Sequence, residues 1–193
     1  MPADIHTLSQ GTLLWRIYKR GGPHPTEWNE FRSFGPLKEM RFDHHDPAWP
    51  RRRKVLYGAP AIDTCIAEVF QERRVVNRAR QHPCLVAIRL ARDVPVLNLR
   101  QRWPTAAGAS MLINSGQRAR ARRWSVRIYE DYANVEGLWY SSSMNANEPA
   151  VMLYERAEDA LDARPAFHRA LADFTLDGPL HVISARLGYL VVP

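Results

Sequence analysis

Apolar and polar positions alternate along the first part of the chain in the pattern of β-strands. Residues 11–18 alternate in this way and predict a first strand with one buried face. Residues 55–59 predict a second strand, which Pro60 ends. Asp63 is then suited to the N-cap of a helix. The predicted apolar face of that helix consists of Cys65, Ile66, Val69 and Phe70.

The second half of the chain continues the alternation and adds a longer helical pattern. Residues 84–90 and 94–99 predict two strands, and a helical region follows from Trp103, with a break near residues 115–116. Beyond the break, one helix face is apolar and carries Ala121, Trp124, Ile128 and Tyr132. Further predicted elements are strands at 137–142 and 150–155, a short helix near 165–174 and a last strand at 189–192.

Together these elements predict a compact α+β domain with a central mixed β-sheet flanked by helices. A chain of 193 residues is most simply one domain, large enough for a hydrophobic core. Internal repeats, low-complexity tracts and a domain boundary are absent from the sequence. We therefore take residues 1–193 as one domain, with its core from about residue 11 onwards.

Composition places the chain among ordinary globular proteins, since 46% of its residues are hydrophobic and 24% are charged. No apolar run approaches the roughly 20 residues of a membrane-spanning helix, and residues 1–10 lack the pattern of a signal peptide. We expect a soluble, cytoplasmic protein without a membrane partner. Cys65 and Cys84 lie in apolar patterns and are expected to be buried; nothing requires a disulfide between them.

The net charge is +7, and lysine supplies only three of the 27 basic residues, at Lys19, Lys38 and Lys54. A positive charge of this size can attract nucleic acid, an anionic small molecule or an acidic protein. Net charge alone does not choose among these partners.

Glu68 is the first candidate for chemistry. It lies on the flank of the predicted helix, off the apolar face, where a solvated carboxylate is the ordinary interpretation. Tyr57, however, lies at the end of the preceding strand. A strand–turn–helix unit can bring both side chains to one edge of the sheet, where α/β folds commonly build sites.

Two arginines are the next candidates. Arg16 lies within an apolar and aromatic strand, where a guanidinium must find either an acidic partner or a ligand. A structural salt bridge and a ligand site are equally good interpretations. Arg41 lies between Met40 and Phe42, and an exposed loop arginine is the default there. Two guanidinium groups can clamp a pyrophosphate.

Residues 137–143, with the sequence GLWYSSS, end in serines whose hydroxyls can donate to a phosphate or ribose oxygen. This is not a nucleophile elbow, because the GxSxG pattern is absent. Alone it indicates only a turn at the end of a strand.

Other motifs predict less. Residues 43–46, Asp-His-His-Asp, carry metal-capable side chains, but neighbours in one loop rarely all face one ion, so we expect no metal site. No phosphate loop of Walker or Rossmann type is present. The basic runs at 51–54 and 118–123 can touch nucleic acid, although a solvated helix face is the better interpretation of the second.

Taken together, four short islands resemble the RES domain, the toxin half of Xre–RES toxin–antitoxin pairs. The resemblance runs from about Leu13 to Val192. It rests on Trp15-Arg16, on Arg41-Phe42-Asp43, on residues 55–57 followed by 67–70, and on residues 137–142. Each island is short, and their order and spacing carry the specificity.

The resemblance implies an ADP-ribosyltransferase-like fold and degradation of NAD by phosphorolysis or hydrolysis, or ADP-ribosylation of a protein. It implies catalytic roles for Glu68, Arg16 and Ser142, and NAD-binding roles for Arg41, Tyr57 and Ser141. By the same resemblance, Arg16 and Arg41 would bind the NAD phosphates or ribose, and Tyr57 would pack against the nicotinamide side. Ser143 and Ser141 compete with Ser142 for the place of the family serine. NAD is then a substrate, phosphate is a candidate co-substrate, and no cofactor is expected.

The resemblance also implies a partner, an Xre-type helix-turn-helix antitoxin. Through it the toxin contacts DNA only indirectly, and a homo-oligomer can form within the complex. The strongest alternative of another class is a basic toxin that binds or cleaves RNA, which leaves Arg16 and the Tyr57–Glu68 unit unexplained. A non-catalytic binding module whose site has decayed ranks lower, since all expected residue types are present.

Overall fold

The computed structural model describes residues 1–46, 48 and 52–193, so Pro47, Pro50 and Arg51, the start of the basic run 51–54, lie outside the described residues. The described part contains ten strands and four α-helices. The strands are β1 (Ile5–Leu8), β2 (Leu13–Lys19), β3 (Val55–Gly58), β4 (Val75–Asn77), β5 (Pro83–Arg89), β6 (Val94–Asn98), β7 (Gly137–Ser141), β8 (Pro149–Tyr154), β9 (Phe167–Ala170) and β10 (Leu190–Val192). The helices are α1 (Ile62–Phe70), α2 (Trp103–Ala106), α3 (Arg118–Asp131) and α4 (Asp177–Leu187).

The central sheet has five strands in the order β1-β6-β7-β8-β3. β6 and β7 run parallel, and the other neighbours run antiparallel. The predicted central mixed sheet is therefore confirmed. On one of its faces the core contains Leu138, Met152 and Tyr154, which pack with Ala121 and Ile128 of α3. Ala121 and Ile128 belong to the apolar face that the sequence predicted for this helix, so that face is confirmed as buried.

A second sheet, β2-β5-β9, is antiparallel throughout. It is joined to the central sheet by a bridge in which Trp15 and Ala59 exchange both backbone hydrogen bonds, at 2.7 and 2.9 Å. α1 begins directly after this junction. Its residues Cys65 and Ile66 pack with Ile17 and Leu85 of the second sheet. The junction therefore positions the helix that carries Glu68.

Helix α1 differs in detail from the prediction. Its N-cap is Ala61, and Asp63 lies inside the first turn, where its carboxylate accepts a hydrogen bond from the Thr64 N–H at 2.8 Å. Asp63 as the N-cap is therefore wrong. Val69 was predicted on the buried face, but 40% of it is exposed, while Thr64 is fully buried. The helix turns Thr64 inwards because a second segment, the turn after β7, packs against its first turn.

The C-terminal region departs furthest from the sequence prediction. The short helix predicted near 165–174 is wrong: β9 lies there and pairs with β5. Long-range pairing stabilises this strand, which has no strong alternation of its own. α4 follows and was not predicted, although Gly188 at its C-terminus adopts φ +67°, as helix-ending glycines do. β1 also lies outside the predicted elements and before the expected start of the core at residue 11.

Both cysteines, Cys65 and Cys84, are buried and free, as the apolar pattern predicted. Among the described residues, no helix combines the length and the apolar character needed to cross a membrane.

We predict that the buried face of α1 contributes strongly to stability and that Val69 does not. Ile66 is fully buried, so Ile66→Ala should lower the free energy of unfolding by about 2–5 kcal/mol. The matched control Val69→Ala, on the exposed side of the same helix, should change it by less than about 0.5 kcal/mol. Urea unfolding followed by circular dichroism measures both. Equal losses in the two variants would contradict this orientation of α1.

Candidate functional site

The carboxylate of Glu68 lies near the C-terminal end of α1 and is half-buried. Its Oε1 accepts a hydrogen bond from the Ser142 hydroxyl at 2.5 Å. Its Oε2 has no hydrogen-bond or ion-pair partner among the described residues. Burial raises the pKa of Glu68, while the Ser142 hydrogen bond and the positive charges of Arg41 and Arg118 oppose that rise. One oxygen is thus held by the protein and the other is left for a ligand.

Ser142 is fully buried directly after β7. Its hydroxyl oxygen accepts a hydrogen bond from the Met144 N–H at 3.2 Å. The hydroxyl proton is therefore directed at Glu68. The turn that follows is tied to α1 by a second contact, in which the Asn145 amide donates to the Thr64 hydroxyl at 2.9 Å. These two contacts hold the serine and the carboxylate together.

The other two serines of the motif lie elsewhere. Side chains alternate along β7, so Ser141 lies on the opposite face from Ser142. Arg100 donates to the Ser141 hydroxyl at 3.4 Å and also lies over the ring of Trp139, which shares that face. Ser141 and Arg100 line an open pocket of about 740 Å³. Ser143 is exposed. The structure brings Ser142, and neither of its neighbours, to Glu68, and a role of Ser141 in NAD binding stays a prediction.

Arg41 is half-buried rather than an exposed loop arginine, which corrects the default interpretation of its sequence context. Its Nη1 donates to the carbonyl oxygen of Gly116 at 2.6 Å. Burial and the nearby Arg118 lower its pKa, while Glu68 raises it. The next residue, Phe42, is fully buried and packs against the ring of Tyr140 at 4.9 Å. Arg41 is therefore anchored at the edge of the core.

Tyr57 supports the backbone beside Arg41. Its hydroxyl donates to Asp43 Oδ1 at 3.0 Å and accepts a hydrogen bond from the Phe42 N–H at 3.1 Å. Asp43 is buried and also accepts hydrogen bonds from Arg32 Nη2 at 2.6 Å and from the Leu37 N–H at 2.8 Å. The Tyr57 hydroxyl is thus used by the protein itself, and packing of its ring against nicotinamide stays a prediction.

Tyr140 is a site residue that sequence reasoning missed. Only 4% of it is exposed, and its hydroxyl has no hydrogen-bond partner among the described residues. Burial and the charge of Glu68 raise its pKa well above the usual value, and Arg41 opposes that rise. The sequence did contain a signal for Tyr140. Residues two positions apart on a strand lie on the same face, and Tyr140 lies two positions before Ser142.

Arg118 is the second addition. It is the first residue of α3, and its Nη2 donates to Gln71 Oε1 at 2.9 Å. The Gln71 amide in turn donates to the backbone carbonyl oxygen of Glu68 at 2.7 Å. Interpreting residues 118–123 as a solvated face is therefore wrong for Arg118. It is also wrong for Arg122, whose Nη1 donates to the Met40 carbonyl oxygen at 3.0 Å, because the loop before Arg41 covers this side of α3.

Arg16 is buried, but in different surroundings. Its Nη1 donates to the carbonyl oxygens of Trp28 at 3.1 Å and Glu30 at 2.8 Å. Burial lowers its pKa to about 10. Of the two interpretations of Arg16, the structural salt bridge is wrong, because backbone carbonyls bind this guanidinium and no carboxylate within the described residues pairs with it. Within the described residues, no hydrogen bond or ion pair joins Arg16 to Glu68, so the catalytic role of Arg16 stays a prediction.

The side chains of residues 43–46 do not all face one point, although His45 Nδ1 lies 3.9 Å from Asp43 Oδ2. Asp43 faces Arg32 and Tyr57, whereas His44 Nε2 lies 3.3 Å from Glu155 Oε2. In the described ranges, no group of three or more His, Cys, Asp or Glu side chains is arranged to hold a metal ion.

Comparison with known proteins agrees with this architecture. The RES domain family matches residues 13–177, and the chain therefore belongs to the RES domain family. Its fold is similar to that of a chain in the crystal structure of the M. tuberculosis MbcT–MbcA toxin–antitoxin complex. The TM-score is 0.54 at 16% sequence identity, over 84% of this chain and 85% of that one. No curated protein sequence matches the chain significantly.

We predict that Asp43 stabilises the segment that carries Arg41. Asp43→Ala removes the acceptor of the Leu37 N–H and of the Tyr57 hydroxyl, and it removes the ion-pair partner of Arg32. Such a change should lower the free energy of unfolding by about 3–5 kcal/mol. As a control, Asp131→Ala removes an exposed ion pair with Arg127 within α3 and should leave the free energy of unfolding close to that of the wild type. A small loss for Asp43→Ala in urea unfolding would contradict this role.

We also predict that the Glu68 carboxylate destabilises the folded protein when it is ionised. Because its pKa is raised on folding, its contribution to stability is present at low pH and is lost as the pH rises through the folded-state pKa. Glu68→Gln should therefore have a higher free energy of unfolding than the wild type at about pH 8, and the difference should vanish towards about pH 4. The exposed Glu72→Gln serves as control. A variant less stable than wild type at the higher pH would contradict the prediction.

Proposed function

We propose that this RES domain protein is the toxin of a toxin–antitoxin pair and that it cleaves the bond between nicotinamide and ribose in NAD. The observation that carries the proposal is the Glu68 carboxylate, whose Oε1 accepts the Ser142 hydrogen bond and whose Oε2 has no partner in the described part of the chain. Arg41 and Arg118 lie close enough to influence its charge. The arginines suit an anionic part of a ligand, and the carboxylate suits a part of the same ligand that becomes positively charged during a reaction. NAD meets this description when its glycosidic bond opens.

The chemistry follows from the substrate. When the bond between C1′ of ribose and the nicotinamide nitrogen breaks, nicotinamide leaves with the electron pair and the sugar acquires oxocarbenium character. Glu68 would stabilise this positive charge electrostatically, which is often the largest catalytic contribution. Ser142 would keep the carboxylate in one orientation, so that no reorganisation is needed during the reaction. Arg41 would hold the phosphates and so fix the anomeric carbon in front of the nucleophile.

The incoming nucleophile decides the product. A phosphate oxygen that bonds to C1′ gives ADP-ribose 1″-phosphate, and water that loses a proton gives ADP-ribose. A side chain of a target protein gives an ADP-ribosylated protein. Each route releases nicotinamide, so this product reports the shared first step.

The RNA-directed alternative has weaker support. It rests on the net charge of +7, yet many arginine side chains form hydrogen bonds or ion pairs with other groups of the protein. Carbonyl or carboxylate groups of the protein itself bind the side chains of Arg16, Arg53, Arg78, Arg92, Arg122 and Arg156. A phosphate backbone would need such groups free on one face.

An antitoxin partner and a cytoplasmic site of action are parts of the same proposal. An enzyme that consumes NAD would deplete the cell that makes it, so its activity must be restrained. The similar fold comes from a complex of a toxin with its antitoxin. We expect an Xre-type antitoxin to bind this chain and to connect it with DNA. Growth arrest on expression, relieved by the neighbouring gene product, would support this part; a product that neither binds the chain nor relieves arrest would count against it.

The test of the reaction is nicotinamide release from NAD by the purified protein. Glu68→Gln keeps the size and the acceptor oxygen for Ser142 but removes the charge, so turnover should fall by about a hundredfold or more. Glu72→Gln, four residues along the chain and exposed, should release nicotinamide at the wild-type rate. Assays with and without phosphate separate phosphorolysis from hydrolysis. Turnover in Glu68→Gln equal to that of wild type would remove Glu68 from the mechanism.

A further inference from the structure

Arg118 is held in a fixed position relative to Glu68. Its guanidinium donates to the side chain of Gln71 at 2.9 Å, and Gln71 donates to the carbonyl oxygen of Glu68 at 2.7 Å. Gln71 is the C-cap residue of α1, so this short chain of hydrogen bonds links the end of α1 to the start of α3. A solvated helix arginine would not need such a tether.

Arg41 reaches the same region from a different segment. Its Nη1 donates to the carbonyl oxygen of Gly116, two residues before α3 begins. Both guanidinium groups are anchored by neutral acceptors, and no carboxylate in the described part of the chain forms an ion pair with either one. Arg118 lowers the pKa of Arg41 while Glu68 raises it, and both arginines lower the pKa of Glu68. Arg41 and Arg118 together carry two positive charges and Glu68 carries one negative charge, so the group has a net positive charge.

The first turn of α3 strengthens this imbalance. Helix N-termini carry a partial positive charge, and acidic residues are favourable there. The first turn of α3 contains no acidic residue and begins with Arg118 itself. The arrangement has an electrostatic cost that a bound anion would relieve.

We infer that Arg41 and Arg118 form a two-cation clamp for the diphosphate of a dinucleotide and that Gln71 is its positioning residue. The inference rests on the proposed function and deepens it, because it assigns the second phosphate-binding arginine to Arg118 rather than to Arg16. Each guanidinium has five N–H donors and uses one nitrogen for its anchor, so both retain donors for phosphate oxygens. A diphosphate offers an acidic group to each arginine, whereas a monophosphate can satisfy only one of them fully.

The first experiment measures binding of ADP and of AMP by calorimetry, without any reaction. Arg118→Gln should weaken ADP binding by about tenfold or more, and AMP binding by clearly less, since charge-assisted hydrogen bonds to one phosphate are lost. The matched control is Arg123→Gln, which removes an exposed arginine from the same helix and should bind both nucleotides as the wild type does. Urea midpoints establish that all variants are folded. ADP affinity unchanged in Arg118→Gln, or no ADP binding by the wild type, would overturn the clamp.

The second experiment tests the positioning role of Gln71. Gln71→Ala should raise the KM for NAD and weaken ADP binding while leaving kcat close to wild type, because Gln71 acts through Arg118. In the double variant, Gln71→Ala should add little to the effect of Arg118→Gln, because Gln71 has no guanidinium left to position. Full additivity, or an unchanged ADP affinity in Gln71→Ala, would overturn this role.

These outcomes can be told apart from failure of the proposed reaction. If the wild type releases no nicotinamide but its ADP affinity depends on Arg118, the proposed reaction fails and the diphosphate clamp stands. If nicotinamide release depends on Glu68 while ADP affinity does not depend on Arg118, the reaction stands and the clamp fails.

Discussion

The hydrogen bond from the Ser142 hydroxyl to the Glu68 carboxylate joins two segments 74 residues apart in the chain. A half-buried carboxylate is costly unless a donor holds it, because burial disfavours its ionised form. Ser142 supplies that donor, and the Asn145–Thr64 contact keeps the two segments together. The rest of the site is arranged around this pair: Arg41 and Arg118 approach it from different segments, and Tyr140 lies on the same face of β7 as Ser142. Burial of the Glu68 carboxylate lowers the stability of the fold when this group is ionised, and functional sites typically carry such a cost.

The arginines of this protein act mainly within it. Arg16 binds backbone carbonyls of the loop before residue 31, Arg122 binds the loop before Arg41, and Arg156 donates to the carbonyl oxygen of Tyr132 at the end of α3. The guanidinium group has five donors in a planar arrangement, so it can satisfy several carbonyls that have no other partner. A high net charge is therefore a poor guide to the ligand of this chain. The informative arginines are Arg41 and Arg118, the two that lower the pKa of Glu68.

Sequence patterns predicted those elements whose periodicity is strong and whose core contacts are dense. β2, β3, β5 to β8 and the buried face of α3 all belong to this group. β1, β4 and β9 were not predicted, because each depends on pairing with a distant strand, which periodicity does not reveal. The N-cap of α1 was misplaced by two residues because Asp63 can accept a backbone hydrogen bond from within the first turn as well as from the N-cap position.

The sequence by itself determined the family, the mixed α+β architecture and the residue types of the candidate site. Short motifs in a fixed order can be recognised without knowing which residues are in contact. Only the tertiary structure decided which serine meets Glu68, since the choice between Ser141 and Ser142 depends on which face of β7 is turned towards α1. It also placed Arg16 against backbone carbonyls and brought Arg118 to the end of α1. These outcomes follow from packing between segments far apart in the chain, and no local pattern of apolar and polar residues encodes that packing.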